Sequence, residues 1–301
     1  MSVSANSTIW THFAGLELRQ SYKKAGDFVV RCLEAGEGPT LLLLHGGGGH
    51  AEAYAKNIAA LSKRFRVLAV DLVGHGYSSI PGQAGVPDVA EPNFDLLVKF
   101  IDAVHTAVTD EPVHICGLSF SAVAGALYAG RNPGRVKKLI LNTGVPLECD
   151  EVGGAAWRRV LQMPSETAKG WSREQVRQRL GVLFRGGADN VPEELIDIRH
   201  AIFKRPGMSE FNNRFVRRMM RTVAEPSPLT EREGPEALQN IACETLLVWT
   251  PTNPGQYPSV AEKALTFLKK GRLVVFEEAH HWPQWEEAEK FNQLVLEFLG
   301  E

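Results

Sequence analysis

The chain has 301 residues, of which 44% are hydrophobic, so it can bury the core of one large domain or of two average ones. Its 33 basic and 35 acidic residues are well mixed and give a formal net charge of −2, which argues against nucleic acid or an anionic membrane as a partner. The four cysteines form no C-x-x-C pair, and we find neither a signal-peptide pattern nor a membrane-spanning segment, so we predict a cytoplasmic protein with reduced thiols.

Short apolar segments alternate with helical patterns along the first half of the chain. Residues 28–34 alternate as an early antiparallel strand does, whereas 41–44 and 66–71 are apolar runs typical of strands buried on both faces. Further elements follow in the same rhythm, with helices at 51–61 and 93–108 and strands at 113–116 and 136–142. This repetition predicts the α/β class, with a doubly wound, mostly parallel sheet.

The pattern changes after residue 145. Four charged amphipathic segments, separated by proline and glycine, replace the strands at 155–163, 173–184, 193–203 and 210–223. A basic cluster in the last segment has the spacing of a solvated helix face: Arg214, Arg217, Arg218 and Arg221. Strands at 245–249 and 273–276 and helices at 259–269 and 286–299 then resume the α/β pattern. The sequence therefore predicts a core of residues 1–145 and 234–301 with an inserted helical lid at 146–233.

A serine follows the predicted strand at 113–116, in the order I-C-G-L-S-F-S at 115–121. Ser119 stands two residues after Gly117 and directly before a helix pattern rich in small residues, which predicts a sharp turn with the hydroxyl at its apex. Such a turn exposes the serine oxygen above the sheet, beside the backbone N–H of the next residue. Ser121 occupies the place of the second glycine in the usual G-x-S-x-G pattern.

A serine hydroxyl needs a base to remove its proton before it can act as a nucleophile. His280 and His281, between the last predicted strand and the last helix, are the candidates, and local chemistry alone does not choose between them. A second motif, H-G-G-G-G-H at 45–50, follows the apolar run at 41–44. It lacks the G-x-G-x-x-G spacing of a dinucleotide loop, and the chain shows no ligand pattern for a metal.

Together these motifs resemble those of the α/β-hydrolase family, and more narrowly of the meta-cleavage product hydrolases. Enzymes of that subfamily cut carbon–carbon bonds in the ring-fission products of aromatic compounds. The segment H-W-P-Q-W-E at 281–286 is similar to the subfamily's H-W-x-Q-W-E, and 45–49 is similar to its H-G-G-G segment. The stretch 193–199 resembles the part of the lid from which the subfamily projects an active-site arginine.

The resemblance implies catalytic roles for the residues that match. Ser119 is then the nucleophile, and His281 is the general base and acid. The backbone N–H groups of Gly47 and Phe120 form the oxyanion hole.

Three further residues are implied to bind the substrate. Gly46 lies in the glycine loop, Trp282 packs on the dienoate, and Arg199 binds a carboxylate with its planar, two-pronged guanidinium. The resemblance implies a small-molecule substrate and no cofactor. One residue departs from the subfamily, because Leu118 stands where these enzymes usually carry a polar residue beside the nucleophile.

The expected triad acid is missing. The family places an aspartate after the strand at 245–249, and the best match here is Asn253. An amide that presents its NH₂ group to the imidazole favours the wrong tautomer, a change that lowers kcat by about 10⁴-fold in trypsin. Glu148 or Asp150 is then expected to replace the acid. Otherwise, the chemistry tolerates the loss because ketonisation primes the substrate, or the protein is slow or inactive.

We therefore predict a cofactor-independent hydrolase that acts through Ser119 on the carbon–carbon bond of a 2-hydroxy-6-oxo-dienoate. A carboxylesterase or lactonase using the same site is the first alternative. A cofactor-free oxygenase, in which the histidine is the base, and a non-catalytic ligand-binding relative are the others. The sequence does not decide between a monomer and a homo-oligomer.

Overall fold

A computed structural model describes residues 8–83, 85–89, 91–162 and 171–300. One sheet of eight strands runs through this part of the chain, in the order β1-β2-β4-β3-β5-β6-β7-β8. The strands are β1 (Arg19–Ala25), β2 (Phe28–Ala35), β3 (Thr40–Leu44), β4 (Arg66–Val70), β5 (Val113–Leu118), β6 (Val136–Asn142), β7 (Glu244–Trp249) and β8 (Gly271–Val275).

Six of the strands, from β4 across to β8, pair in parallel, and β1 and β2 add an antiparallel edge. Every residue of β3 and β5 is buried, which is why these strands read as continuous apolar runs. The predicted α/β class and mostly parallel sheet are therefore confirmed. The sequence did not reveal β1, because its polar, mostly exposed residues carry no apolar alternation.

Eleven α-helices accompany the sheet in the described residues. They are α1 (Ala55–Leu61), α2 (Phe94–Val108), α3 (Phe120–Arg131), α4 (Glu151–Gln162), α5 (Arg173–Gly181), α6 (Glu193–Phe203), α7 (Met208–Ala224), α8 (Gly234–Asn240), α9 (Pro258–Leu265), α10 (Pro283–Glu286) and α11 (Ala288–Gly300). Asn93 caps α2 by accepting a hydrogen bond from the Leu96 N–H at 3.1 Å. Within the described ranges, no helix combines the length and the apolar character needed to cross a bilayer.

Between β6 and β7 the described chain contains helices and no strand. The helix predicted at 193–203 has those bounds in α6, whereas α4 begins four residues before the predicted 155. The last residue of the predicted 155–163 segment lies outside the described residues. Helix α4 packs on α7, and α5 packs on α6. We propose that α4 to α7 form the lid.

Candidate active site

Ser119 occupies the turn between β5 and α3, as the sequence predicts. Its φ of 57° is unusual for a residue with a side chain, and its N–H donates to the Asn142 carbonyl at 2.8 Å. Gly117 is required here, because a Cβ at that position would lie 2.5 Å from the Ser121 carbonyl oxygen. The turn thus raises the serine above the carboxyl end of the central strand.

Ser121 has a structural role of its own. It is fully buried, and its hydroxyl donates to the carbonyl oxygen of His45 at 2.5 Å. The serine that replaces the second glycine of G-x-S-x-G therefore links the start of α3 to the glycine loop by a hydrogen bond.

Replacing Ser121 by alanine is expected to lower the free energy of unfolding by about 1–2 kcal/mol, because a buried carbonyl loses its donor. Urea denaturation measures the change. Ser259→Ala is the matched control: Ser259 is exposed, so its variant should stay within about 0.5 kcal/mol of the parent protein. Equal stability of both variants would show that the Ser121 hydrogen bond contributes nothing.

The glycine loop packs directly against the serine turn. A Cβ at Gly46 would lie 3.0 Å from the Ser119 Cβ, and one at Gly47 would lie 2.7 Å from the Phe120 ring. Among the described residues, neither Gly47 N–H nor Phe120 N–H has a hydrogen-bond acceptor. Both donors are therefore available beside Ser119, as an oxyanion hole requires.

His45 holds the glycine loop in place through hydrogen bonds of its two ring nitrogens. Its Nε2 accepts a hydrogen bond from the Leu72 N–H at 3.0 Å, so its Nδ1 carries the proton that is donated to the Gly46 carbonyl at 2.7 Å. Burial lowers the pKa of His45 well below its ordinary value, so the ring is a neutral structural element.

His281, rather than His280, lies in the same cavity as Ser119. The two ring nitrogens of His280 contact Thr252 Oγ1 at 2.7 Å and the Val182 carbonyl at 3.1 Å, and His280 does not line the cavity. The Nδ1 atom of His281 lies 2.6 Å from Asn253 Oδ1, so Nε2 is the ring nitrogen left for the serine. The Ser119 hydroxyl forms no hydrogen bond with another described residue.

The orientation of the Asn253 amide corrects the expectation of a wrong tautomer. Its Nδ2 donates to the carbonyl of Gln256 at 2.8 Å and to that of Thr143 at 3.4 Å, and the side chain is fully buried. With the NH₂ group held by two acceptors, the amide oxygen must face His281. The proton then sits on Nδ1 and Nε2 is an acceptor, which is the tautomer that a general base needs.

Neither Glu148 nor Asp150 replaces the missing acid. Glu148 is exposed, and Asp150 accepts hydrogen bonds from the N–H groups of Gly153 at 2.9 Å and Tyr257 at 2.7 Å. Within the described part of the chain, no carboxylate is hydrogen bonded to His281. Burial, and secondarily the neighbouring His280, lowers the pKa of His281 to about 3, so the ring is neutral at physiological pH.

The cavity above Ser119 and His281 has a volume of about 340 Å³. It is also lined by Gly46, Gly47, Phe120, Arg199 and Trp282, so every residue implied to bind substrate or oxyanion lies around one space. Among the described residues, no three histidine, cysteine or acidic side chains are arranged to hold a metal ion.

Arg199 is buried rather than solvated. It is 4% exposed, and its Nε and Nη2 atoms have no hydrogen-bond partner among the described residues. The guanidinium lies 5.7 Å from the centroid of the Trp282 ring. Burial, followed by the charge of Arg179, lowers the pKa of Arg199 to about 9, which leaves it protonated at neutral pH. A buried cation without a partner is costly, and an anionic ligand would satisfy it.

The sequence prediction missed several cavity residues and misplaced another. Arg179 and Trp171, both from the lid, line the cavity without any motif to mark them. Arg217 was predicted on a solvated face but also lines the cavity, whereas Arg214, Arg218 and Arg221 are exposed as expected.

The fold and the site together define the class of protein. Residues 39–288 match the family described as the alpha/beta hydrolase fold, so this chain belongs to the α/β hydrolase fold family. The predicted fold, family and hydrolase class are confirmed.

Individual relatives show which hydrolases the chain is similar to. The chain is 28% identical over 292 residues to 2-hydroxy-6-oxononadienedioate/2-hydroxy-6-oxononatrienedioate hydrolase of Cupriavidus pinatubonensis, covering 92% of this chain and 93% of the relative. It is 28% identical over 294 residues to 2-hydroxy-6-oxo-6-phenylhexa-2,4-dienoate hydrolase of Comamonas testosteroni, covering 93% and 94%. A solved structure of the meta-cleavage product hydrolase from Pseudomonas fluorescens IP01 matches with a TM-score of 0.74 at 26% identity, covering 93% and 97%. The predicted resemblance to meta-cleavage product hydrolases is thereby confirmed.

Proposed function

We propose that this chain hydrolyses the C5–C6 bond of a 2-hydroxy-6-oxo-dienoate, with Ser119 as nucleophile and His281 as general base and acid. The observation that carries the proposal is the unpartnered guanidinium of Arg199 in the cavity that also contains these two residues. A simple ester hydrolase has no need of a buried cation there, whereas a dienoate brings a carboxylate for it. The relatives that hydrolyse such dienoates support the same choice.

The reaction begins with ketonisation, which moves a proton from the 2-hydroxyl group to C5. The Ser119 hydroxyl then transfers its proton to His281 Nε2 as its oxygen attacks the C6 carbonyl. Negative charge develops on the carbonyl oxygen, where the N–H groups of Gly47 and Phe120 stabilise it. Breaking the C5–C6 bond leaves the acyl group on Ser119, and the bonding electrons form a dienolate whose C2 oxygen takes the proton from His281.

Water completes the cycle. His281 removes a proton from a water molecule, which attacks the acyl group on Ser119. The bond between the acyl carbon and the Ser119 oxygen then breaks, and His281 returns the proton to that oxygen, which releases a carboxylic acid and free enzyme. The net reaction adds one water to the substrate and yields a 2-hydroxydienoate and an acid. Asn253 keeps the proton on Nδ1 throughout, so Nε2 stays available for both steps.

The direct test is turnover by the purified protein of a 2-hydroxy-6-oxo-dienoate, measured as loss of the dienoate chromophore and as release of acid. An aryl ester and an oxygen electrode are run alongside. Acid release without oxygen consumption supports the proposal. Ester cleavage with no dienoate turnover would make the protein an esterase, and oxygen uptake would make it an oxygenase.

Replacing Arg199 by glutamine is expected to raise KM for the dienoate by about 10- to 100-fold, because a hydrogen-bonded charge pair with the carboxylate is lost. Steady-state kinetics on the dienoate and on a neutral aryl ester measure the effect. Arg221→Gln, which removes an exposed lid arginine, should match the parent enzyme. An equal loss on both substrates would assign Arg199 to structure instead of carboxylate binding.

A further inference from the structure

The cavity contains a second arginine that the proposed mechanism does not use. Arg179 of α5 lines it, with its guanidinium 4.0 Å from the centroid of the Trp171 ring. Within the described part of the chain, Arg179 forms no hydrogen bond and no ion pair. Stacking on an aromatic face leaves the edge of a guanidinium, where its N–H groups point, free to bind a carboxylate in two-pronged fashion.

The surroundings of Arg179 favour an anion. None of the described residues lining the cavity is an aspartate or a glutamate. Burial, and secondarily the charge of Arg217, lowers the pKa of Arg179 to about 10, so the group remains protonated at neutral pH. A protonated guanidinium in a largely apolar cavity is stabilised by a negatively charged ligand.

The two arginines pack on different aromatic rings. Arg199 lies beside Trp282, the residue next to the proposed base. Arg179 lies on Trp171, and its neighbour Arg217 donates to the carbonyl of Leu161, at the end of α4. Arg179 of α5 and Arg217 of α7 therefore lie on helices other than α6, which carries Arg199.

We propose that Arg179, with Arg217 beside it, is a second anion-binding subsite, and that the substrate is a dicarboxylate. Resting on the proposed function, this assigns the dienoate carboxylate to Arg199 and a second carboxylate, on the acyl side of C6, to Arg179. Cleavage with one water then yields a 2-hydroxydienoate and a dicarboxylic acid.

The test compares two 2-hydroxy-6-oxo-dienoates of equal chain length, one ending in a carboxylate and the other in a methyl group. Arg179→Gln should raise KM for the dicarboxylate by about 10- to 100-fold, the range expected for hydrogen bonds to a charged group, and leave the methyl-ended substrate within about twofold. Arg179→Lys keeps the charge and should recover part of the preference. Arg218→Gln, an exposed neighbour in the lid, is the control and should behave as the parent.

A binding measurement separates this proposal from the proposed function. In Ser119→Ala protein, calorimetry with heptanedioate and heptanoate should give tighter binding of the dicarboxylate, and the added Arg179→Gln change should abolish the difference. Loss of the difference supports the subsite even if neither dienoate is hydrolysed, an outcome that would overturn only the proposed function. Equal binding of the two probes, or equal effects of Arg179→Gln on both substrates, would overturn the subsite while leaving the proposed function intact.

Discussion

Ser119→Ala enzyme is expected to turn over the dienoate about 10⁴- to 10⁶-fold more slowly than the parent, the loss seen when a serine nucleophile is removed from a hydrolase triad. No other described hydroxyl lines the cavity with His281, so water must then attack without a covalent intermediate. The folded state should be unaffected, because the Ser119 hydroxyl makes no hydrogen bond with described residues and alanine tolerates the same backbone geometry about as well.

Single-turnover kinetics on the dienoate measure the chemical step, and calorimetry measures substrate binding by the variant. Binding should stay within about threefold of the parent value, since the oxyanion donors and Arg199 are untouched. Ser259→Ala is again the control, with unchanged kinetics. Undiminished turnover by Ser119→Ala enzyme would remove Ser119 from the mechanism and would favour chemistry in which His281 acts alone.

The fold was predictable because the strands that build it are buried on both faces. In β3, for example, all five residues are buried, and an unbroken apolar run of that length between turn residues is typical of a strand inside a parallel sheet. The serine turn was equally clear, since Gly117, Ser119 and the following small residues each have a local steric reason. Strand β1 was not predicted, because an exposed edge strand needs no apolar pattern.

The cavity was less predictable, because helical spacing shows which residues share a face but not what the face meets. Arg217 has the same spacing as its exposed neighbours, yet the fold of the lid directs it to the cavity. Arg199 carries no local sign of burial either, and only the resemblance to a family pointed to it. Distances between lid and core depend on packing among segments far apart in the sequence.

Asn253 shows at a single residue that side-chain orientation is harder to predict from the sequence than position. Its position was predictable from the strand that precedes it, but its orientation depends on carbonyl groups of Gln256 and Thr143. Those two acceptors suit an amide and oppose a carboxylate, because an oxygen in place of Nδ2 would face the Gln256 carbonyl oxygen at 2.8 Å. Asn253 is therefore matched to its surroundings, and it fixes the His281 tautomer through hydrogen bonding without a charge.

Replacing Asn253 by leucine is expected to lower kcat/KM by about 10²- to 10⁴-fold, because nothing then holds the proton on His281 Nδ1. Asn253→Asp keeps the acceptor for Nδ1. It should lower the free energy of unfolding by about 1–3 kcal/mol, because its second carboxylate oxygen would face the carbonyl oxygens of Gln256 and Thr143. Its carboxylate should also raise the pKa of His281 from about 3, since an adjacent negative charge favours the imidazolium.

The pH dependence of kcat/KM distinguishes these effects. A general base works only when neutral, so activity falls as pH drops through the pKa of His281 in the free enzyme. The parent enzyme should therefore stay active to below about pH 5, whereas Asn253→Asp should lose activity at a higher pH. Asn240→Asp, which adds an equal charge at an exposed site, should leave the profile unmoved. A faster and equally stable Asn253→Asp enzyme would contradict the inference that the Asn253 amide is matched to its surroundings. It would mean that the site lacks an acid it can use.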